Sequence, residues 1–308
     1  MIYTGTFSGK FYGPGAAETG GTFFASNGPD AMLTGYFVGD RDPGLIDASL
    51  PLAAYTDPAT FVLNSAHDPV YVDSNEELDF DPDTGQLVYK EVVGSAFVPF
   101  TIKASDIVAG TADDDRVYYE TNQGDRQLSG WVHNIAPGNG EIELTYTSFA
   151  AFRTTYGSGP GSQQNDNFIT FGNATPSALI PRTGSASYSG IALGGAELAG
   201  IGYDGTVHGT SDLTANFNAA SFTSKLVLFT DEMTPRSIGT FLFNGNIYES
   251  GFGGNVSEYP TYSGQMVGDF YGPHADEYGY AWTVNYYTSA PGGALGNTLY
   301  GIAVGKKD

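Results

Sequence analysis

Apolar and polar side chains alternate from residue 185 to the end of the chain. The clearest run, residues 212–217, reads Asp-Leu-Thr-Ala-Asn-Phe. A period of two indicates strands with one buried face, since successive side chains of a strand point to opposite faces of a sheet. The pattern predicts an all-β fold in which residues 181–308 form an eight-stranded antiparallel β-barrel. Four large side chains are expected inside this barrel: Leu213, Phe217, Phe243 and Trp282.

The first 180 residues contain shorter alternating runs, separated by turn residues. Residues 1–42 read as three strands, and residues 70–180 predict a second antiparallel sheet. The clearest hairpin runs from Leu78 to Tyr89 around an Asp-Pro-Asp-Thr-Gly turn. Residues 43–69 contain four prolines and no sustained alternation. We therefore interpret them as a linker, with one helical turn around Asp57 to Leu63.

One short phrase occurs near both ends of the chain. It is Phe-Tyr-Gly-Pro, and each copy continues in the same spacing through Ala-x-Glu-x-Gly. A second matching piece follows each copy, at Gly35–Gly39 and at Gly301–Gly305, after a loop that is seven residues longer in the second copy. Two copies indicate a supersecondary unit used twice rather than a solenoid. The residues of the two phrases are Phe11, Tyr12, Gly13, Pro14, Phe270, Tyr271, Gly272 and Pro273.

The chemistry of the repeated phrase is structural. Phe-Tyr on a strand places one aromatic ring on each face, and Gly-Pro then ends the strand because proline has no N–H to donate. The glutamate that follows is expected to accept backbone N–H bonds in a tight loop. Both turns are predicted to share one backbone conformation. Residues 1–42 thus resemble barrel-closing strands, which could pack on the same chain, add to another protomer, or belong to a longer repeat protein.

Composition removes several classes of function. The chain has 308 residues with 43 Gly, 21 Tyr, 20 Phe and a formal charge of −22, which would repel nucleic acid and anionic lipid. The absence of cysteine excludes thiol catalysis, thiolate metal sites and disulfides. No apolar run is long enough for a transmembrane helix, and the first residues lack signal-peptide features, so a leader was removed or export uses another signal.

Acidic turns and histidines are the candidates for bound ions or cofactors. Asp79, Asp81 and Asp83 have part of the spacing of a calcium loop, but the glycine comes one residue late and Lys90 replaces the last ligand. We therefore expect turns and no metal site. The four histidines lie far apart in the sequence, with no nearby catalytic partners, and no enzymatic activity is expected. They could serve as axial ligands of haem; they are His67, His133, His208 and His274.

Two sequence segments resemble a known family when taken together. The first is Pro181-Arg-Thr-Gly-Ser-Ala-Ser-Tyr-Ser-Gly190, preceded by Phe171-Gly-Asn-Ala-Thr-Pro176, and the second is Gly268-x-Phe-Tyr-Gly-Pro-x-Ala-x-Glu277. At this separation they resemble the transferrin-binding protein B-like family of bacterial surface proteins. The resemblance implies a handle-like antiparallel sheet before an eight-stranded barrel. It covers roughly residues 77 to 308 and matches a handle at 70–180 and a barrel at 181–308.

The resemblance also implies a function. Members of the family capture transferrin, complement regulators, haemoglobin or haem, and none is an enzyme. It implies an extracellular or surface protein associated with the outer membrane, with haem or another host or environmental ligand as its cargo. Apart from the resemblance, His208 and His274 are the candidate ligand contacts among the histidines. The chain lacks the anchoring cysteine of familiar members. The alternative is a structural or adhesive protein that self-assembles through its β-strands, with residues 1–42 as the polymerising segment.

Overall fold

The computed structural model describes thirteen stretches of the chain, and these form two compact units, Met1–Ile46 and Asp47–Asp308. The residues in these stretches form nineteen β-strands and one short 3-10 helix, Ala104–Asp106. The described stretches are 4–12, 18–26, 32–40, 59–67, 71–81, 86–93, 96–109, 115–133, 141–157, 162–248, 251–257, 262–290 and 293–308. The all-β prediction is confirmed.

The first unit is a three-stranded antiparallel sheet in the order β1-β2-β3. Its strands are β1 Thr4–Tyr12, β2 Glu18–Ser26 and β3 Met32–Asp40. Gly13 and Pro14, the turn residues of the first phrase, lie outside the described residues, so the predicted identity of the two turns stays a prediction.

The second unit begins with an eight-stranded antiparallel sheet, here called the handle sheet, in the order β7-β6-β5-β4-β11-β10-β9-β8. Its strands are β4 Ala59–His67, β5 Tyr71–Asp81, β6 Gln86–Val93, β7 Ala96–Ile102, β8 Arg116–Gln123, β9 Arg126–His133, β10 Thr147–Tyr156 and β11 Gln163–Gly172. The predicted hairpin is present, because Leu78 of β5 pairs with Tyr89 of β6.

The helical turn predicted around Asp57 to Leu63 is wrong. Residues 59–67 form strand β4, which pairs with β5 on one side and β11 on the other, so part of the predicted linker lies at the centre of the handle sheet. The sequence shows no alternation here because β4 is covered on both faces. Four consecutive side chains, Leu63 to Ala66, are fully buried, whereas a period of two requires one solvated face.

The remaining eight strands close into the predicted antiparallel barrel, in sequence order with β19 returning to pair with β12. They are β12 Ser185–Leu198, β13 Tyr203–Asn216, β14 Ser221–Thr230, β15 Ser237–Ile247, β16 Phe252–Val256, β17 Tyr262–Tyr271, β18 Glu277–Ala290 and β19 Gly293–Lys307. The four side chains predicted for its interior are all buried, with Trp282 at 0% exposure. Aromatic rings fill this core in tilted and edge-to-face pairs, such as Phe252 with Phe270 (tilted, 4.9 Å between ring centres) and Phe222 with Phe252 (edge-to-face, 5.1 Å).

A second apolar cluster joins the handle sheet to the outside of the barrel, and we call it the junction. From the handle sheet it includes Ala66, Phe149 and Phe168; from the barrel it includes Leu193, Ala281, Tyr300, Ile302 and Val304. The barrel strands β12, β18 and β19 therefore bury both faces, one inside the barrel and one against the handle sheet. This packing fixes the two sheets relative to each other within the second unit.

Candidate functional site

The second Phe-Tyr-Gly-Pro phrase lies where the end of β17 meets the handle sheet. Phe270 packs in the barrel core, whereas Tyr271 is buried on the opposite face and receives a hydrogen bond from Asn64 Nδ2 of β4 at 3.2 Å. Strand β17 ends at Tyr271. Gly272 follows with φ +82°, and a Cβ there would lie 2.6 Å from the ring of Tyr146. Only glycine fits this position without strain.

Glu277 anchors the handle sheet to the barrel. Its carboxylate accepts three backbone N–H bonds, from Thr145 at 2.5 Å and from Tyr146 and Thr147 at 2.9 Å. Burial raises the pKa of this carboxyl group, and the three N–H donors oppose that rise. The sequence predicted a glutamate that accepts backbone N–H bonds, but the donors are the first residue of β10 and the two residues before it, rather than residues of its own loop. The segment that follows the repeated phrase thus attaches the barrel to the handle sheet.

The segment that leads from the handle sheet into the barrel is tied to the same turn. The Thr175 hydroxyl donates to the Gly272 carbonyl at 2.6 Å, and the Thr175 N–H donates to the Phe270 carbonyl at 2.7 Å. The Gly272 N–H donates in turn to the Asn173 carbonyl at 2.9 Å. These bonds hold the two sheets at a set angle, so a cleft between them has two fixed walls.

That cleft opens beside the junction, where the handle sheet and the barrel diverge, and its volume is about 730 Å³. One wall comes from β8 to β11 of the handle sheet and the other from β12 and β13 of the barrel, with Asp231 after β14. Apolar side chains, including Phe168 and Leu193, continue the junction into its floor. A concave site between two rigid elements, with an apolar floor and a few polar groups, is the usual form of a binding pocket.

Charged and aromatic side chains on the handle wall are held in place by one another. Arg153 makes a two-pronged pair with Asp166, at 2.6 and 2.7 Å. The guanidinium carbon of Arg116 lies 4.3 Å from the ring centre of Trp131, a cation–π contact, and Arg116 Nη2 lies 3.7 Å from Glu141 Oε1. Planar groups fixed in this way can present hydrogen-bond donors and acceptors to a ligand with little loss of entropy.

Comparison with known protein families finds a match to the barrel. No curated protein sequence matches the chain. A family model described as the C-lobe and N-lobe beta barrels of Tf-binding protein B matches residues 180–298. These residues are similar to the barrels of that family. The matched range begins just before β12 and extends into β19, so it covers nearly all of the closed barrel.

Solved structures of the same kind align with the chain at low identity. They include a double mutant of transferrin-binding protein B from Haemophilus parasuis Hp5, with 13% identity over 98% of this chain and 53% of that one at a TM-score of 0.45. Isotype 1 transferrin-binding protein B from serogroup B Neisseria meningitidis is 18% identical, and the alignment covers 98% of this chain and 52% of that one at a TM-score of 0.44. A surface lipoprotein is 13% identical, and the alignment covers 82% of this chain and 100% of that one at a TM-score of 0.32. The chain spans about half the length of the two transferrin-binding proteins.

The four histidines lie in different surroundings in the structure. His208 lies on β13 in the cleft wall, with Nδ1 3.8 Å from Asp231 Oδ1, and His274 is exposed in the turn between β17 and β18. His133 is buried and stacked on Phe149 at 4.4 Å, and burial lowers its pKa to about 4. The side chain of His67 lies outside the described residues. Of the two histidines predicted as ligand contacts, His208 lines the cleft and His274 does not.

The handle wall was not predicted from the sequence. Arg116, Trp131 and Arg153 come from three different strands, and pairing brings them to one face: Arg153 stands opposite Ser129, two residues from Trp131. The sequence does contain one indication of this wall. Basic residues and tryptophan are scarce in the chain, with 12 Lys and Arg and 2 Trp residues, so an arginine within a predicted strand is unusual. No group of three or more His, Asp or Glu side chains arranged to hold a metal ion occurs within the described stretches.

Proposed function

We propose that this chain is a non-enzymatic binding protein of the bacterial surface, and that the cleft beside the junction is its capture site. One observation carries the proposal: an open cleft of about 730 Å³ whose walls are fixed to each other by buried hydrogen bonds and apolar packing. The family of the barrel supports it, because its name describes proteins that bind transferrin. The general function we propose is ligand binding, and the identity of the ligand is a separate question.

Binding measurements on wall variants test this site. Transferrin, haemoglobin and haem are titrated into the full chain by calorimetry, and then into Arg153→Ala and Asp231→Ala, which change one wall each. For the ligand that binds, each variant should weaken affinity by about tenfold, equivalent to about 1.4 kcal/mol. Lys225→Ala is the matched control, since Lys225 lies on β14 outside the cleft lining. Unchanged affinity in both wall variants would remove the cleft as the site.

Haem is the specific ligand we propose, because His208 lies in the cleft. Its side chain is 42% exposed in a cleft that also holds Phe168, Trp131 and two arginines, which could contact the ring and the propionates. A haem titration should give a Soret band that His208→Ala removes and His274→Ala retains. The two histidine variants control for each other because His274 lies outside the cleft lining. A band that survives in His208→Ala would contradict this ligand.

The proposed location is the bacterial cell surface, in association with the outer membrane. No helix within the described ranges has the length and hydropathy to span a membrane. Limited proteolysis of intact cells tests the location: a surface protein should be cleaved or released while a cytoplasmic marker is protected. Protection equal to that of the marker would contradict the proposal.

Self-assembly is the alternative function, and the sheet β1-β2-β3 favours it because β1 and β3 are edge strands among the described residues. Size exclusion at high concentration compares the full chain with residues 43–308. Assembly that depends on residues 1–42 would support a structural role. A monomer at all concentrations would rule it out.

A further inference from the structure

His208, in the barrel wall of the cleft, has one ring nitrogen that is shut away from the cleft. Its side chain is 42% exposed, yet Nδ1 is buried and has no hydrogen-bond partner among the described atoms. The part of the ring that is open to the cleft is therefore the side away from Nδ1, on which Nε2 lies. A buried nitrogen without a partner is rare in folded proteins, so its surroundings need an explanation.

Asp231 is the acidic residue beside this nitrogen. His208 pairs with Phe229 across β13 and β14, and the same register puts Thr206 opposite Asp231, one residue beyond the end of β14. The Asp231 N–H donates to the Thr206 carbonyl at 3.1 Å, so the ladder continues to this residue. Asp231 is thus the diagonal neighbour of His208, and its Oδ1 lies 3.8 Å from Nδ1.

The carboxylate of Asp231 is held in place by its neighbours. The Thr206 hydroxyl donates to Oδ2 at 3.0 Å, which leaves Oδ1 on the side of His208. Farther along the same turn, Arg236 Nε donates to Glu232 Oε2 at 2.8 Å and closes the turn. A movement of about 1 Å would bring Oδ1 to the roughly 2.8 Å of a charge-assisted hydrogen bond with Nδ1.

This arrangement decides which ring nitrogen carries the proton. In a neutral imidazole one nitrogen is a donor and the other an acceptor, and the hydrogen bonds of the ring select between the two forms. An ionised carboxylate can only accept a bond, so Asp231 favours the proton on Nδ1. Nε2 then keeps a free lone pair. His208 consequently offers the cleft an electron pair rather than a hydrogen-bond donor.

We propose that Asp231 is a positioning residue for His208, and that the cleft recognises an electron-pair acceptor, the iron of haem, through Nε2. The proposal rests on the capture of haem proposed above and adds the residue that prepares the axial ligand. Histidines that bind a metal almost always donate their other N–H to a carboxylate, a carbonyl or water. That bond fixes the orientation of the ring and makes it a stronger electron donor.

The tautomer of His208 can be measured in the full chain without any ligand. Histidine is isotopically labelled, and the shifts of the imidazole nitrogens are recorded by NMR at about pH 8, where an ordinary imidazole is neutral. The signals of His208 are those that vanish in His208→Ala. We expect the proton on Nδ1 in the parent chain and mainly on Nε2 in Asp231→Ala. Asp212→Ala is the control and should change neither, since Asp212 is also exposed on the barrel but lies beside Lys225.

Haem titration of the same variants measures what the orientation of His208 does for the ligand. Asp231→Ala should keep a Soret band, bind haem about 10- to 100-fold more weakly and raise the reduction potential of the complex, because the axial imidazole becomes a weaker donor. Asp212→Ala should match the parent chain in all three. A residue that only shapes the cleft wall would change the affinity and leave the potential where it was, so that result would overturn the positioning role.

The two measurements fail in different ways. A proton on Nε2 in the parent chain, or a tautomer that Asp231→Ala leaves unchanged, would overturn the role of Asp231 even if haem binds. Failure of the parent chain to bind haem would overturn haem as the ligand, and the tautomer would still decide whether Asp231 positions His208.

Discussion

Replacing Asp269 by asparagine should stabilise the protein at neutral pH. Asp269 lies on β17, 8% exposed against the handle sheet, where Asn64 Nδ2 donates to it at 3.0 Å. Burial raises the pKa of this carboxyl group from 3.8 to about 6, and the Asn64 bond only partly offsets that rise. Among the described atoms, Asn64 Oδ1 is buried without a hydrogen-bond partner. An asparagine amide can donate to that oxygen and carries no charge.

The size of the effect follows from the pKa shift. A folded-state pKa above the unfolded value means that the carboxyl contributes fully below pH 3.8 and loses that contribution as the pH rises to about 6. At about 1.4 kcal/mol per unit, ionising Asp269 costs about 3 kcal/mol above pH 6. Asp269→Asn avoids this cost. The variant should therefore gain up to about 3 kcal/mol at pH 7.5 and little at pH 4.

Urea unfolding followed by tryptophan fluorescence measures this difference at both pH values. Asp212→Asn is the control, since Asp212 is exposed on β13 and lies 3.7 Å from Lys225 Nζ. Its effect should stay below about 1 kcal/mol at either pH, as for other exposed pairs. A gain for Asp269→Asn that is equal at pH 4 and pH 7.5, or a loss at pH 7.5, would refute the reasoning.

Two further changes are expected to lower stability and a third to remove acid sensitivity, each measured by urea or pH unfolding. Glu277→Gln should cost about 2 kcal/mol, because an amide accepts the three backbone N–H bonds less well than a carboxylate; no loss would mean that Glu277 is not an anchor. Trp282→Ala should cost about 3 to 5 kcal/mol by leaving a cavity in the barrel core, and a loss below 1 kcal/mol would contradict its burial. His133 has a lowered pKa of about 4, so its contribution is complete above pH 6.5 and is lost as the pH falls toward 4. His133→Phe should remove that acid sensitivity, and an unchanged pH profile would contradict it.

The barrel could be predicted from the sequence because each strand has one face in a single core. Local sequence is enough to show which face is buried. Examples are the alternation around Leu213 and Phe217 and the Phe270-Tyr271 pair, which has one ring on each face. Strand β4 could not be predicted in the same way. Its residues Leu63 to Ala66 are all buried, so no period of two remains.

The cleft could not be predicted because it exists only between two packed sheets. Trp131 and His208 reach it from opposite walls, and nothing in the sequence near either residue indicates the other. The fold of each sheet follows from local pattern, whereas the angle between them depends on long-range contacts such as Glu277 to the start of β10. Sequence reasoning therefore found one cleft histidine and missed the aromatic and arginine groups that face it.

The fluorescence of Trp131 tests most directly whether this cleft captures a ligand. In a Trp282→Phe chain, Trp131 is the remaining tryptophan and lies in the cleft wall. Transferrin, haemoglobin and haem are added in turn, and quenching by acrylamide is measured with and without each. The account predicts that the ligand that binds also shields Trp131, and that Asp231→Ala on the opposite wall reduces both binding and shielding. Binding that leaves Trp131 equally quenched, or no binding by any of the three, would contradict it.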